Sequence, residues 1–549
     1  MNKIRIALIA LAFCRIASVS AQIDPAFQLP YMNNYDAGII SATDLNGTAR
    51  FMGVGGAMGA LGGDASVLFY NPAGIGIYRS SEITLSVNGN WNNLDMNSTR
   101  ATDGDFNLQN AAYIGSWNFK RERGLVNFNV GVAFNRMKNF NRNGTYRTFG
   151  NGYSVTQMMA DLAQGQSPDQ LNVHNLDNPD VGFLPILGYS TGAIWSVEDG
   201  SGQPTSDYIS YYDHANNVYR QEFEEAKDNG EVDEAAEYIP MTMNNYVELR
   251  ERGYQNEFAL SFGGNVSNIF YFGMSFVCNV LDYNIYQTYE EKLSDGSSYD
   301  HYSSFNLNGT GFTYKVGVIV KPVNWLRIGG AFHTPTWYAV NTSSHGDMDT
   351  YTDLDGISSH EYVDSYAYRS YFASPMKALG SLGFVIGKYC FIGLDYQYEN
   401  FRGMKISDNM HNENLGMRAM FKDRNTTLDR HTLRMGVEFK PISALALRIG
   451  GGYSFPINTE SATRIYYDND IRTDLGYYNT LQSYNVTCGI GYYVGRNAFD
   501  LAYVWQVNDA QYHPYSNNIQ NHPSGVKVPD AVGMHSIRNQ IVFTYSIRF

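Results

Sequence analysis

The chain has 549 residues, with 39 Lys and Arg against 53 Asp and Glu, and a formal net charge of −14. This acidic balance argues against nucleic acid as a partner, since nucleic-acid binding relies on neutralising phosphates with basic side chains. Tyr and Phe number 43 and 30, yet the mean hydropathy is −0.33. Many aromatic residues in a chain that is polar on average indicate strands with one lipid-facing side and one polar side.

Residues 1–21 have the layout of a secretory signal peptide. Lys3 and Arg5 precede the apolar run from Ile6 to Phe13, and small residues follow it up to a cleavage point before Gln22. Such a segment directs export and is removed from the mature protein. We therefore expect the mature chain to leave the cytoplasm.

Residues 22–81 show no strand periodicity. They include a glycine-rich stretch that ends in Asn71, Pro72, Ala73 and Gly74. The first alternation of apolar and polar residues that is typical of a half-buried strand begins only after this stretch. We expect an irregular N-terminal domain, followed by strands up to the C-terminus.

From residue 82 onward, apolar residues recur at every second position over long runs. Phe128, Val130 and Val132, for example, alternate with Asn127 and Asn129. Runs of about ten residues match a tilted strand that crosses a bilayer. About fourteen strands are predicted, near residues 82–92, 111–119, 125–138, 256–267, 269–289, 303–320, 325–338, 363–387, 389–404, 428–440, 445–456, 481–494, 498–509 and 537–549. An even number is what bacterial single-chain barrels require.

The connections between these strands alternate in length. Every second one is a turn of a few residues, such as Ser267-Asn268 and Gly387-Lys388, whereas the others are long. Short turns belong on the periplasmic side of a bacterial barrel, and long loops lie outside. We therefore expect the N-terminal domain and both chain ends on the periplasmic side.

Several features together resemble the long-chain fatty acid transporter (FadL) family of outer-membrane proteins, which includes aromatic-hydrocarbon channels. They are the Asn71-Pro72-Ala73 motif before the first strand, the strand number, the Lys-Pro pairs at Lys321 and Lys440, and the apolar ladder that ends in Phe549. The resemblance implies an all-β fold, an about 14-stranded antiparallel transmembrane β-barrel in the bacterial outer membrane. Residues 22–81 would be a hatch inside the lumen and residues 82–549 the barrel.

The resemblance also implies a function and its sites. The expected function is passive uptake of a hydrophobic or amphipathic small molecule, fatty-acid-like or aromatic, which is captured at the outer mouth. Hatch movement and sideways release near the third strand would follow. The hatch motif corresponds to Asn71, Pro72 and Ala73, and the lateral exit to Asn127, Asn129, Gly131 and Ala133, with a bend at Gly131. The expected partners besides the ligand are outer-membrane lipid, lipopolysaccharide and, because the terminal Phe549 resembles an assembly signal, the barrel assembly machinery.

Some charged residues share the parity of the lumen-facing positions. Arg327, His333, Arg434 and Arg448 are predicted as ligand contacts in the lumen, with pairing to each other or to the hatch as the alternative. The sequence contains no recognisable catalytic, nucleotide-binding or metal-binding motif. We expect no enzyme activity, no cofactor and no metal.

The predicted connection at residues 141–255 is much longer than a usual surface loop. Val155, Met158, Met159 and Leu162 in it have helical spacing, and an acidic stretch follows. It is interpreted either as an external cap that captures a ligand or a protein partner, or as a helical loop that merely packs over the mouth. With a protein partner, the alternative function is that of a cargo carrier or interaction protein in a type IX-like secretion system.

Overall fold

The computed structural model describes residues 32–97, 99–150, 152–172, 181–365, 367–467, 470–519 and 526–549. The predicted signal peptide and the first ten residues predicted for the hatch, 22–31, lie outside this part of the chain. The strands are β1 Glu82–Met96, β2 Thr99–Asn118, β3 Leu125–Asn139, β4 Arg142–Gly150, β5 Ile194–Glu198, β6 Pro204–Ser210, β7 Met243–Val266, β8 Phe270–Leu293, β9 Ser298–Val323, β10 Leu326–His333, β11 Trp337–Thr352, β12 Ile357–Asp364, β13 Tyr368–Ala373, β14 Lys377–Ile386, β15 Cys390–Glu399, β16 Lys405–Ser407, β17 Arg430–Ile442, β18 Leu445–Ser454, β19 Tyr477–Val494, β20 Asn497–His513 and β21 Val532–Arg548. The α-helices are α1 Asn34–Ser41, α2 Ala49–Gly53, α3 Val67–Tyr70, α4 Val155–Ala163, α5 Phe183–Ser190, α6 Tyr211–Asp228 and α7 Leu415–Lys422, and short 3-10 helices cover Pro72–Ile77, Pro168–Leu171 and Phe401–Gly403.

The strands close into a ring. The first strand pairs with β2 in the register Glu82↔Ile114 and with the last strand in the register Glu82↔Arg548. The wall runs β1, β2, β3, β7, β8, β9, β10, β14, β15, β17, β18, β19, β20, β21 and back to β1, with antiparallel neighbours throughout. This confirms the predicted 14-stranded antiparallel barrel. Ring closure satisfies every wall strand on both sides, which is what a hydrocarbon environment demands of the backbone.

Alternating burial gives the wall an apolar outer surface. On β9, Val316 and Val318 are each 43% exposed, while Lys315, next to Val316, is 6% exposed and points inward. The outward positions of the other strands likewise carry mostly large apolar side chains. Strands β8 and β9 have 24 and 26 residues, about twice what a tilted strand needs to cross the bilayer. The ring therefore continues well beyond the membrane at one end.

We call the end of the ring with the short turns the periplasmic end and the opposite end the outer end. Residues 32–81, the N-terminal segment, run through the lumen between the two. Near its end, Arg79 hydrogen-bonds Asn268 in a short turn, and the Ser81 amide donates to the Phe549 carbonyl at 3.1 Å. Near its start, Asp36 pairs with Arg472, which lies in the long connection between β18 and β19.

This course corrects one expectation. The N-terminal segment was expected at the periplasmic side, but its first described residues lie at the outer end. Helix α1 begins there with a capping box, in which the Asn33 side chain accepts from the Asp36 amide and the Asp36 carboxylate accepts from the Asn33 amide. Buried Arg472 holds Asp36 in place. Loop lengths orient the wall, whereas the position of a segment inside it depends on such contacts between distant residues.

The long connection after β3 forms an ordered cap over the outer end. The four residues at helical spacing form α4, in which all of them are buried, as predicted. The cap packs in one continuous hydrophobic cluster with α1, with Leu281 of β8 and with Phe305 of β9. Its margins differ from the expected 141–255, because β4 and the start of β7 pair with each other in the register Arg142↔Glu251 and extend the wall.

No helix in the described part of the chain is both long enough and apolar enough to cross a membrane.

Candidate functional site

A small cavity lies between the N-terminal segment and the wall, toward the outer end of the lumen. Its volume is about 80 Å³, whereas ligand pockets usually measure about 300–1,000 Å³. The apolar part of its lining includes Leu45, Phe51, Phe69 and Tyr338, and the polar part includes Gln255, Glu257, Lys315, His333, Lys377, Gln397 and Arg434. This cavity is therefore too small for a drug-sized molecule in this conformation, and such a molecule enters it only if the segment or the cap moves.

Two buried ion pairs border the cavity. Lys315 Nζ lies 2.8 Å from a Glu257 oxygen, and Lys377 Nζ lies 2.9 Å from a Glu399 oxygen. Both pairs also hold the N-terminal segment: Lys315 Nζ donates to the Phe69 carbonyl at 3.0 Å, and the Glu399 carboxylate accepts from the Thr43 hydroxyl at 2.6 Å. Breaking a buried pair of this kind costs about 3–5 kcal/mol, because one charge remains without its partner.

Of the four charged residues predicted as ligand contacts, His333 and Arg434 line the cavity. The Arg434 guanidinium donates to Gln397 Oε1 at 3.0 Å and to the Tyr70 hydroxyl, and it lies 5.0 Å from the centre of the Tyr70 ring. No carboxylate of the described residues lies within 4.0 Å of it. On the same side of the cavity, His333 Nε2 lies 2.8 Å from the Tyr70 carbonyl oxygen. Arg434 therefore retains a positive charge that a ligand could use.

Arg327 and Arg448 are placed elsewhere. Arg327 donates to the Leu61 carbonyl at 2.9 Å near the periplasmic end. Arg448 is fully buried between Glu438 at 2.8 Å and Asp500 at 2.7 Å. Arg327 thus holds the segment to the wall, and Arg448 pairs with carboxylates of the wall. Pairing of these two kinds is the alternative that sequence parity left open.

Two buried side-chain amides at the cavity each have one atom without a hydrogen-bond partner among the described residues. Gln255 Oε1 and Gln397 Nε2 are both inaccessible and make no hydrogen bond to any described residue. The two side chains are 2% and 4% exposed and line the cavity. Buried polar atoms are nearly always paired, so an acceptor and a donor left over in one cavity indicate a place for a polar group. Together with Arg434, they give the cavity an amphipathic lining.

The Asn71-Pro72-Ala73 motif lies where the segment presses on the wall. Asn71 is completely buried; its Nδ2 donates to the Gly59 carbonyl at 2.6 Å, and its Oδ1 accepts from the Ala73 amide at 3.1 Å, which caps the 3-10 helix. Pro72 suits the first position of that helix because its missing N–H leaves no donor unpaired. A side chain at Gly317 of β9 would put its Cβ 1.9 Å from Asn71 Oδ1, so the contact requires glycine there.

The strand pairing at Gly131 shows no opening. Strand β3 pairs with β2 through Gly131↔Ile114 and with β7 through Gly131↔Ser261, and both ladders are regular on either side of this residue. Gly131 faces inward as expected, but a Cβ there would lie 3.1 Å from Leu68 and 3.2 Å from Ile75. The missing side chain makes room for the N-terminal segment, and the expected bend remains a prediction.

The other residues predicted for the lateral exit also hold the segment. Asn127 and Asn129 donate from their side-chain amides to the carbonyls of Tyr78 and Ile75, at the end of the 3-10 helix. Ala133 is buried in a hydrophobic cluster with Leu68. These residues are thus placed together at the contact between β3 and the segment, and whether a ligand passes there remains a prediction.

Sequence reasoning missed Lys315 and Lys377, although a signal was present. Lys315 has the same parity as Thr313 and Gly317 on the buried side of β9. The parity argument that identified Arg434 would therefore have identified Lys315 as well. Lys377 lies within the predicted strand 363–387, but Pro375 interrupts that strand, and β14 begins only at Lys377, so parity is not continuous up to this residue. No group of three or more His, Cys, Asp or Glu in the described ranges is arranged to hold a metal ion.

No protein family model matches this chain, and no curated protein matches it. Solved structures do. A FadL homologue of Pseudomonas aeruginosa is 12% identical, with 92% of this chain and 99% of that chain covered and a TM-score of 0.52. The toluene transporters TodX of P. putida and TbuX of Ralstonia pickettii are each 11% identical with the same coverage, at TM-scores of 0.48 and 0.47. The fold is therefore that of the P. aeruginosa FadL homologue, and the resemblance to the FadL family is confirmed at the level of the fold.

Proposed function

We propose that this protein is an outer-membrane channel for the passive uptake of hydrophobic or amphipathic small molecules, with the N-terminal segment as its hatch. The observation that carries the proposal is the cavity itself. It lies in a barrel with an apolar outer belt, behind a segment that closes the lumen, and it combines aromatic walls with unpaired polar atoms. A general porin would instead leave an open aqueous channel.

The lining supports an amphipathic ligand. Phe51 and Phe69 offer apolar contacts to a hydrocarbon chain or an aromatic ring, and Arg434 offers two-point hydrogen bonding to an anionic head group. A fatty-acid-like or aromatic carboxylate has both parts. Gln255 and Gln397 would satisfy the remaining donors and acceptors of such a head group.

Uptake in this proposal has three steps: capture at the outer mouth, movement of the hatch and release sideways into the membrane. Hatch movement is opposed by the ion pairs around Lys315 and Lys377 and by Arg50, which bonds the Glu438 carboxylate at 2.9 Å. A ligand carboxylate that engages Arg434 would compete for the Tyr70 hydroxyl contact and so loosen one of these attachments. The energy for movement comes from ligand binding alone.

The test uses the purified protein in liposomes and two probes, a fluorescent long-chain fatty acid and toluene. We expect transfer of at least one probe to exceed that of protein-free liposomes, while a disaccharide stays excluded. The Arg434→Met variant should slow the fatty acid more than toluene, because toluene has no head group for the guanidinium to bind. Failure of both probes to move faster than in protein-free liposomes refutes the proposal.

One observation favours the alternative function of a protein-binding carrier. Phe149 and Ile239, at the two edges of the cap, are each 77% exposed, and large apolar side chains exposed outside a membrane often mark a protein interface. In that case, a Phe149→Ser and Ile239→Ser double variant should reduce the amount of exported protein retained at the cell surface. Probe uptake by this variant should remain normal.

A further inference from the structure

Two neighbouring wall strands are interrupted by proline at the same height. Thr334-Pro335-Thr336 separates β10 from β11, and Ser374-Pro375-Met376 separates β13 from β14. The ladder between them is regular below the interruption, up to His333↔Lys377, and resumes above it at Trp337↔Ala373. Proline lacks the N–H that a ladder needs, so it is normally excluded from the centre of a sheet.

We call the boundary between β10–β11 and β13–β14 at this height the seam. Few hydrogen bonds cross it. The Ser374 amide donates to the Thr336 carbonyl at 3.0 Å, and the Thr336 amide donates to the Ser374 hydroxyl at 2.9 Å. On one side, β9 still bonds this segment, since the Thr334 amide donates to the Tyr314 carbonyl at 3.0 Å. On the far side, β15 ends at Glu399, and Met376 receives one bond, from the Asn400 amide at 3.0 Å. By contrast, Gly131 of β3 is paired with both of its neighbours.

The inner side of the seam faces the cavity. Thr334, Thr336, Ser374 and Pro375 all belong to its lining, next to His333 and Lys377. On the outer face of the wall, next to Thr336 in sequence, the exposed Trp337 ring lies 6.4 Å from the Tyr314 ring between ring centres. A molecule in the cavity is thus separated from the membrane at this level by a seam with two proline gaps.

Five residues from Pro375 toward the periplasmic end, Gly380 lies in an apolar hollow of the lipid-facing wall. Gly330 of β10 and Gly380 of β14 are register partners at lipid-facing positions, so no side chain covers the wall there. The hollow at Gly380 measures about 680 Å³ and is bordered by Ile328, Leu382, Leu394, Leu433 and Met435. A Cβ at Gly380 would meet no atom within 4 Å. The hollow is wide enough for an acyl chain or an aromatic ring.

We propose that the seam between β10–β11 and β13–β14 is a side portal that connects the cavity with this hollow. The apolar part of the transported molecule passes between Thr336 and Ser374 and lies over Gly330 and Gly380 as it enters the membrane. The exit is then on this seam and not at β3. This inference rests on the proposed uptake function and specifies its route.

The test closes the seam with a disulfide. Thr336 and Ser374 face each other, and directly opposed residues of antiparallel strands have Cβ atoms about 4.5–5.5 Å apart, close to what a disulfide needs. The double variant Thr336→Cys and Ser374→Cys is made in a chain whose own cysteines are replaced by alanine. The matched control, Tyr113→Cys and Val132→Cys, closes the seam between β2 and β3 beside Gly131 from the lipid-facing side, where these two residues are register partners.

We expect the oxidised Thr336/Ser374 variant to lose transfer of the fatty acid and toluene probes and to recover it when the disulfide is reduced. The control should transport in both states. Transport through the oxidised Thr336/Ser374 variant overturns the portal, and if the control is then the one that is blocked, the exit lies at β3. If the cysteine-free parent itself transports neither probe, the proposed uptake function has failed, and the portal fails with it.

A second variant tests the outer half of the route without a disulfide. Gly380→Phe fills the hollow, and the open space around Gly380 lets the barrel assemble. The control is Gly89→Phe on β1, a wall position on the opposite side of the ring where an added Cβ meets only the Trp91 ring. Slower probe transfer by the Gly380 variant at equal surface levels supports the portal, and equal transfer by the two variants contradicts it.

Discussion

Replacement of Arg50 by Met should loosen the hatch measurably. Arg50 donates to both oxygens of Glu438, at 2.9 and 3.1 Å, and to the Gly63 carbonyl at 3.0 Å. Hydrogen bonds to a charged group contribute about 1.5–3 kcal/mol each. Removing Arg50 should nevertheless cost less free energy than breaking an isolated ion pair. Glu438 keeps Arg448 at 2.8 Å and Lys440 at 3.5 Å, so its charge does not remain unpaired.

We therefore expect a loss of about 2 kcal/mol from the attachment of the hatch, which corresponds to a roughly 30-fold increase in the population of the opened state. The measurement is liposome swelling in a small sugar that the closed channel excludes, with the heat-modifiable shift on gels as the check that the barrel is intact. Arg100→Met is the matched control, because Arg100 is exposed and lies 4.0 Å from Asp95 at the wall surface.

A double-mutant cycle separates this attachment from general damage. If Arg50 acts through Glu438, the Arg50→Met change should have a much smaller effect in a Glu438→Gln background, since interacting residues are not additive. Sugar permeability of Arg50→Met equal to that of Arg100→Met would refute the view that this ion pair holds the hatch closed. Full additivity in the cycle would refute its assignment to Glu438.

Three further predictions concern the hatch, the orientation of the barrel and its assembly. Asn71→Ala removes the buried bond to the Gly59 carbonyl and the cap of the 3-10 helix, so sugar permeability should rise while the amount of barrel in the membrane stays the same; unchanged permeability would argue against Asn71 as a hatch anchor. A protease site inserted at Ser201, in an exposed turn of the cap within the predicted 141–255 loop, should be cut on intact cells, whereas a site at Lys388 should not, and cleavage at Lys388 would reverse the orientation. Deletion of Phe549 removes the bond from its amide to the Ser81 carbonyl at 3.0 Å and should lower the yield of heat-modifiable barrel without affecting export across the inner membrane; normal assembly would disprove this role.

The sequence by itself determined the barrel. The alternation of Phe128, Val130 and Val132 with polar residues is a property of each strand alone, and the period of two places side chains on opposite faces whatever the partner strand. The same holds for α4, whose apolar spacing predicted both the helix and its buried side. Short and long connections likewise orient the wall without knowledge of any contact.

Only the tertiary structure decided what each inward residue does. Parity places Arg327, Arg434 and Arg448 alike on the lumen side, but only the packing of the N-terminal segment leaves Arg434 at the cavity and buries Arg448 between two carboxylates. The proposed route through the wall likewise depends on tertiary structure. Pro335 and Pro375 are 40 residues apart in sequence, and they form one seam because strand pairing brings them side by side, a relation between distant residues that no local pattern records.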